Sequence, residues 1–278
     1  MSYEVMNNIF FVVFSTLFGI VIGSFLNVVI YRIPEGRTIV KGHSMCMTCG
    51  HELKALDLVP VFSWLFLGGK CRYCKAPISS RYIKIETFTG LIFLTFAITH
   101  TDFKLDLFDP FNTSRLIIFA HYCLTLIILA SLVSAMMIYH DVSKSYYGYC
   151  VVTGISATIL SFLAGFLQDF KTSFDKLFIS VTLALLVTGA IAVISGILKK
   201  GYTAKDFWLD LPFAFFYSYY GKLLIDYRYV FIAALVLLVL PRAIMKKTRY
   251  DKYSAIASVC GLLALMIIGY LTNIFISN

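Results

Sequence analysis

Four cysteines are spaced to hold a metal: Cys46-x-x-Cys49 and Cys71-x-x-Cys74, with 21 residues between the pairs. Each C-x-x-C turn presents two thiolates, and two such turns close a tetrahedral structural zinc site. Gly50 and the Gly68-Gly69 pair suit the tight turns around the knuckles, and Lys70, Arg72 and Lys75 would offset part of the charge of a tetrathiolate centre. Reduced unliganded thiols or two disulfides are the other readings; a reducing compartment opposes disulfides. His43 and His51 are substitute ligands, but four cysteines suffice. Cys123, Cys150 and Cys260 lie in apolar runs and read as small core residues.

A second chemistry is available to two acids. Asp141 stands at the end of one apolar run and Asp206 at the start of a shorter one, 65 residues apart. Carboxylates at membrane depth are costly and are functional candidates by default. Two of them sharing a proton have their pKa values pushed apart, so that one activates water while the other protonates a scissile carbonyl. Each could instead be an interfacial acid paired with Lys144, Lys199 or Lys205. Asp210, one helical turn beyond Asp206, is a rival second acid. His140 reads as a polar helix end.

The elements that must carry these residues follow from composition. The chain has 278 residues, of which 59% are hydrophobic and only 14% charged. Soluble domains carry about 25% charged residues, so the polar shell is too thin for a water-soluble fold. Intrinsic disorder and a primary role in nucleic-acid binding fit equally poorly. Runs free of Asp, Glu, Lys and Arg and long enough to span are Ile9–Tyr31, Leu116–His140, Ser145–Gln168, Leu177–Leu198 and Tyr253–Asn278. Three shorter or interrupted runs, Ile85–Thr101, Phe207–Gly221 and Tyr229–Met245, bring the count to eight. With both termini outside, 18 of the 24 basic residues fall on the cytosolic side. The expected architecture is an all-α polytopic membrane protein of about eight transmembrane helices. Residues 1–31 form the first helix, 32–84 a small cytosolic zinc-binding domain between helices 1 and 2, and 85–278 a membrane domain of about seven helices. The first run reads as a retained anchor. No internal repeat is apparent in the sequence.

The stretch Gly23-Ser24-Phe25-Leu26-Asn27-Val28-Val29-Ile30-Tyr31-Arg32-Ile33-Pro34 resembles the opening motif of bacterial prepilin peptidases, the type IV leader peptidase/N-methyltransferase family. The likeness continues through Leu56-Asp57-Leu58-Val59-Pro60-Val61-Phe62-Ser63-Trp64-Leu65 between the cysteine pairs, then Ile78-Ser79-Ser80-Arg81-Tyr82 and Glu86. It implies a membrane aspartic protease of the bacterial inner membrane that removes the basic leader of type IV pilin, pseudopilin or competence-pilin precursors. It further implies S-adenosylmethionine-dependent methylation of the new N-terminus. The family's first catalytic aspartate maps onto Asp141. The second maps onto Asp206 in Gly201-Tyr202-Thr203-Ala204-Lys205-Asp206, where Thr203 and Lys205 replace two motif glycines. Two other readings stay open: a zinc-stabilised scaffold without proteolysis, and a transporter using the aspartates as ion sites.

Overall fold

The computed structural model describes residues 3–99, 113–142 and 170–198, with single helical positions at 159, 206, 210, 211, 214, 244, 253, 260, 261, 264 and 267. Five α-helices carry the described chain: α1 (Tyr3–Arg32), α2 (Phe62–Phe66), α3 (Arg81–Thr99), α4 (Thr113–Val142) and α5 (Phe170–Ile197). Four of them, α1, α3, α4 and α5, are long and apolar enough to cross a membrane. They coincide with four of the eight expected runs. The other four runs lie outside the described residues apart from single positions, each of them helical. α3 begins at Arg81, earlier than the apolar run expected from Ile85. Arg81 and Lys84 interrupt the apolar pattern but are good helix formers, so what read as a short span is a 19-residue helix.

The chain divides into two compact units, Ile9–Ala97 and a second of Met1–Asn8 with Ile98–Asn278. In the first, α1 and α3 pack through glycine. A Cβ on Gly19 would come within 2.6 Å of the Phe93 side chain, one on Gly23 within 2.7 Å of Glu86 Cα, and one on Gly90 within 2.6 Å of Ile20. Gly19 and Gly23 are one turn apart, so a small-x-x-x-small stripe lets the helices approach where lipid supplies no hydrophobic drive between them. Phe11, Ser15, Leu26, Asn27 and Ile30 continue the buried stripe, while Val13, Phe14, Leu17, Val21 and Phe25 are exposed. A row of exposed aromatic and aliphatic side chains on a 30-residue helix suits a hydrocarbon surrounding and no aqueous one.

In the second unit α4 buries most of its length from Tyr122 to Tyr139. α5 buries Ser180, Ala184, Val187, Thr188, Ile191 and Ser195 and exposes Phe178, Leu185, Leu186, Val193 and Ile197. Small and hydroxyl residues thus line its packed face, with large apolar ones opposite. Thr188 Oγ1 donates to Ala184 O at 2.8 Å, so its hydroxyl is satisfied within the helix. Cys123 is half-buried and Cys260 exposed, which corrects the core assignment of Cys260. Apolar neighbours in sequence do not separate a core face from a lipid face in such helices. Cys150 lies outside the described residues.

Candidate metal centre and membrane aspartates

The insertion between α1 and α3 has no regular sheet. Its order comes from two turns built alike. In the first, Cys46 N donates to His51 O at 3.0 Å, Gly50 N to Cys46 O at 2.9 Å and Leu53 N to Ser44 O at 2.8 Å. In the second, Cys71 N donates to Ala76 O at 2.9 Å, Lys75 N to Cys71 O at 3.1 Å and Ile78 N to Gly69 O at 2.7 Å. Isolated bridges Met45–Glu52 and Lys70–Pro77 complete the correspondence. Every partner is displaced by 25 residues, the separation of Cys46 from Cys71. The sequence hides this duplication because the repeated contacts are all main-chain.

The two turns bring Cys46, Cys49, Cys71 and Cys74 together, their sulfurs all within 4.8 Å of one another. Cys46 Sγ and Cys74 Sγ are 3.8 Å apart. A zinc–sulfur bond of ~2.3 Å places tetrahedral thiolates about 3.8 Å from each other, so the donor set fits the ion. N–H groups of Cys49 and Thr48 donate to Cys46 and hold its thiol down at about 6. The Cys74 thiol goes the other way, to about 11. The N–H of Ala76 lowers it, but burial and the hydrogen bonds of the other three sulfurs outweigh that. Crowded sulfurs keep protons among themselves, and a dication at their centre would favour thiolate at all four.

Neither histidine joins them. His43 Nδ1 pairs with Glu52 at 2.8 Å, and the His51 ring lies 3.6 Å from that of Tyr73. Arg72, expected to offset thiolate charge, is committed to Asp57, whose side chain is only 3% exposed. Tyr73 Oη and Lys54 N also donate to that carboxylate, at 3.2 and 3.1 Å. The Arg72 guanidinium holds the Asp57 carboxyl below the usual range. Asp57 therefore ties the turn at Ala55–Asp57 to the two residues inside the second knuckle, a role its surrounding apolar motif did not suggest.

Gly50 has φ +69° and Lys75, its counterpart 25 residues on, has φ +60°. A Cβ on Gly50 would meet nothing within 4 Å, so its substitution is a test of backbone alone. Gly50→Ala is expected to destabilise the zinc-loaded module by about 1–2 kcal/mol, and Lys75→Gly to stabilise it by up to about 1 kcal/mol. Thermal unfolding of the purified chain checks both signs.

The remaining motif residues meet at one junction. Pro60-Val61-Phe62 forms a γ-turn, with Phe62 N donating to Pro60 O at 2.6 Å and Val61 at φ 63°, ψ −55°. This conformation is rare for a β-branched residue. It aims Val61 N at Glu86 Oε2, 2.6 Å away on α3. Ser24 on α1 also bonds that carboxylate, and Asn27 Nδ2 donates to Tyr82 O at 3.3 Å. Gly23 meets Glu86 backbone-on, as described above. Three separated sequence motifs thus meet at Glu86, which ties the insertion to α3 and α3 to α1.

Asp141 stands at the last turn of α4, its side chain 25% exposed and its Oδ1 3.1 Å from His140 Nδ1. The His140 ring packs edge-on against Tyr253 with centroids 5.3 Å apart, so this histidine has an aromatic neighbour as well as its acid. Asp206 and Asp210 are both helical and buried, 8% and 1% exposed. Ala214, four positions further, is buried too, which marks one inward face carrying both acids. All three aspartates fall in the same compact unit. Thr203 and Lys205 lie outside the described residues.

Comparison with known proteins bears on residues 17–100, which match the family described as Bacterial Peptidase A24 N-terminal domain. The prepilin leader peptidase/N-methyltransferase of Myxococcus xanthus is 48% identical over 83 residues, 30% of this chain and 25% of that protein. Its namesake from Aeromonas hydrophila is 39% identical over 107 residues, covering 30% of this chain and 37% of the relative. That of Pseudomonas aeruginosa is 35% identical over 115 residues, covering 33% and 40%. The chain therefore spans between a quarter and two fifths of the length of these relatives. No solved structure matches it. The matched segment contains the whole of α3, both knuckles and the Glu86 joint, and over it the chain is similar to the N-terminal part of proteins named prepilin leader peptidase/N-methyltransferase.

Proposed function

We propose that the chain is a membrane aspartic endopeptidase that removes the basic leader of type IV pilin, pseudopilin or competence-pilin precursors. The observation that carries this reading is the similarity of residues 17–100 to the N-terminal domain of proteins named prepilin leader peptidase/N-methyltransferase. The distribution of basic residues supports a cytosolic location for the zinc domain and both aspartates, with the termini outside. The precursor's apolar helix would enter laterally among the spans, its leader facing the cytosol.

In this mechanism Asp141 and Asp206 share one proton across a water. The ionised carboxylate takes a proton from water as oxygen attacks the peptide carbonyl, and the protonated acid donates to the developing oxyanion. No covalent intermediate forms. Asp210 is the second reading for the Asp206 role, favoured by its greater burial. The four cysteines would hold zinc as a structural ion, shaping the insertion and taking no part in cleavage.

Purified protein in detergent, incubated with a pilin precursor, is expected to release the leader as a peptide ending at the cytosolic border of the precursor's apolar helix. Intact mass reads the loss. An unchanged precursor would favour the scaffold reading. The relatives' name adds N-methylation, for which S-adenosylmethionine is the donor; supplying it should add the mass of one methyl group to the processed pilin.

A further inference from the structure

The insertion that carries the four cysteines exposes a run of apolar side chains. Between Lys54 and Lys70 the only charged residue is Asp57, and its carboxylate is turned inward onto Arg72 and Tyr73. Leu56, Leu58, Val59, Phe62, Leu65 and Phe66 are all exposed, Leu56 by 74% and Phe66 by 86%. Phe62 and Phe66 stack, with ring centroids 6.5 Å apart, so α2 presents an aromatic pair on one side. Apolar surface of this kind marks a protein or membrane contact.

Depth decides between the two. The described part of α3, 19 residues from Arg81, rises about 28 Å, close to a hydrocarbon core of roughly 30 Å. Glu86 is the sixth residue of that helix, about 7–8 Å along it from Arg81. Val61 N lies 2.6 Å from Glu86 Oε2, and α2 begins at the next residue, Phe62. The Asn27–Tyr82 bond holds α1 against α3 close to the same level. A helix anchored at that level starts at the rim of the hydrocarbon layer rather than above it.

We propose that α2 and its flanking residues lie in the bilayer interface, Phe62, Leu65 and Phe66 resting on acyl chains of the cytosolic leaflet. Exposed Lys54 and Lys70 bracket the segment and would meet the phosphates of anionic phospholipids. The occupant of this surface is thus lipid. The inference depends on α3 spanning the membrane and is independent of peptidase activity.

The test places the photoreactive residue benzoylphenylalanine at position 66 of the full chain, in nanodiscs of phosphatidylethanolamine and phosphatidylglycerol. Phe14, exposed on α1, is the positive control for a lipid-facing site. Illumination is expected to add the mass of one phospholipid to the peptide containing position 66, in yield comparable to position 14. Labelling at 14 with none at 66 overturns the proposal, as does a protein adduct at 66 in native membranes in place of lipid. Zinc content of one per chain shows that the substituted protein keeps its insertion folded. The same probe at Leu65 gives a second site, for which the same outcomes decide.

Discussion

Asp141→Asn is expected to stop leader removal, lowering the cleavage rate by about 10³-fold or more, while the protein still assembles in the membrane. Asn keeps the size and polarity of the side chain but can neither ionise nor pass a proton, and general acid–base groups contribute about 10²–10⁴-fold each. Asp141 has the placement this role needs: the end of α4, the deeply packed helix of its unit, with a quarter of its side chain still open. Because the side chain is partly open, the substitution leaves no sealed unpaired group and should not disturb folding. His140→Ala is expected to act more weakly, since the imidazole contacts Asp141 Oδ1 and can only orient it. Asp206→Asn should match Asp141→Asn in a mass-resolved cleavage assay, with zinc content unchanged in both. Full activity in Asp206→Asn together with none in Asp210→Asn would transfer the second role to Asp210. Both acids lie buried on one face, Asp210 the deeper, and the two variants decide which of them takes part in cleavage.

The legible part of this protein was the part written in side-chain types. Two C-x-x-C pairs announced a metal centre because thiolates at that spacing have few other uses, and the four sulfurs do converge. Apolar runs announced helices because a bilayer admits little else, and four of them are helices at the expected places. What stayed illegible was written in the backbone. The duplication of the knuckles resides in N–H and C=O partners, with glycine at 50 and lysine at 75 sharing one left-handed conformation. Glu86 looked like one more letter of a motif. Its purpose emerges only when the γ-turn at Val61 brings an amide to it from 25 residues away. Asp57 was hidden in the same way, since its partners Arg72 and Tyr73 come from the far knuckle. Charge counting misjudged Arg72 for a related reason: a guanidinium near thiolates in sequence was already held by a carboxylate in space.

Cys71→Ser carries the second large expected effect: loss of zinc from one per chain to below about a tenth, with collapse of the insertion from Ser44 to Ser80. The reason is the near-absence of any other core. Between Ile33 and Ser80 the fully buried residues are Gly69 and Cys71, and Cys71 is the one with a side chain. A module of this size without apolar burial depends on a staple. Structural zinc supplies about 10–16 kcal/mol of apparent binding free energy in comparable small modules, far more than the hydrogen bonds of the two turns provide. A serine hydroxyl at 71 is a poor zinc ligand and leaves three thiolates to hold the ion. The exposed Cys49 should be the more tolerant position, because its replacement removes a ligand without opening the centre of the module. Protease resistance of the insertion should fall with the metal and return when zinc is restored to chelator-treated wild type. The helices should stay paired, since Gly19, Gly23 and Gly90 hold α1 against α3 without help from the knuckles. Chelation should also free Glu86 from Val61, as that bond lasts only while the γ-turn is held in place. Zinc retained at one per chain in Cys71→Ser, with protease resistance intact, would show that the other three thiolates and the Asp57 network hold the insertion without it.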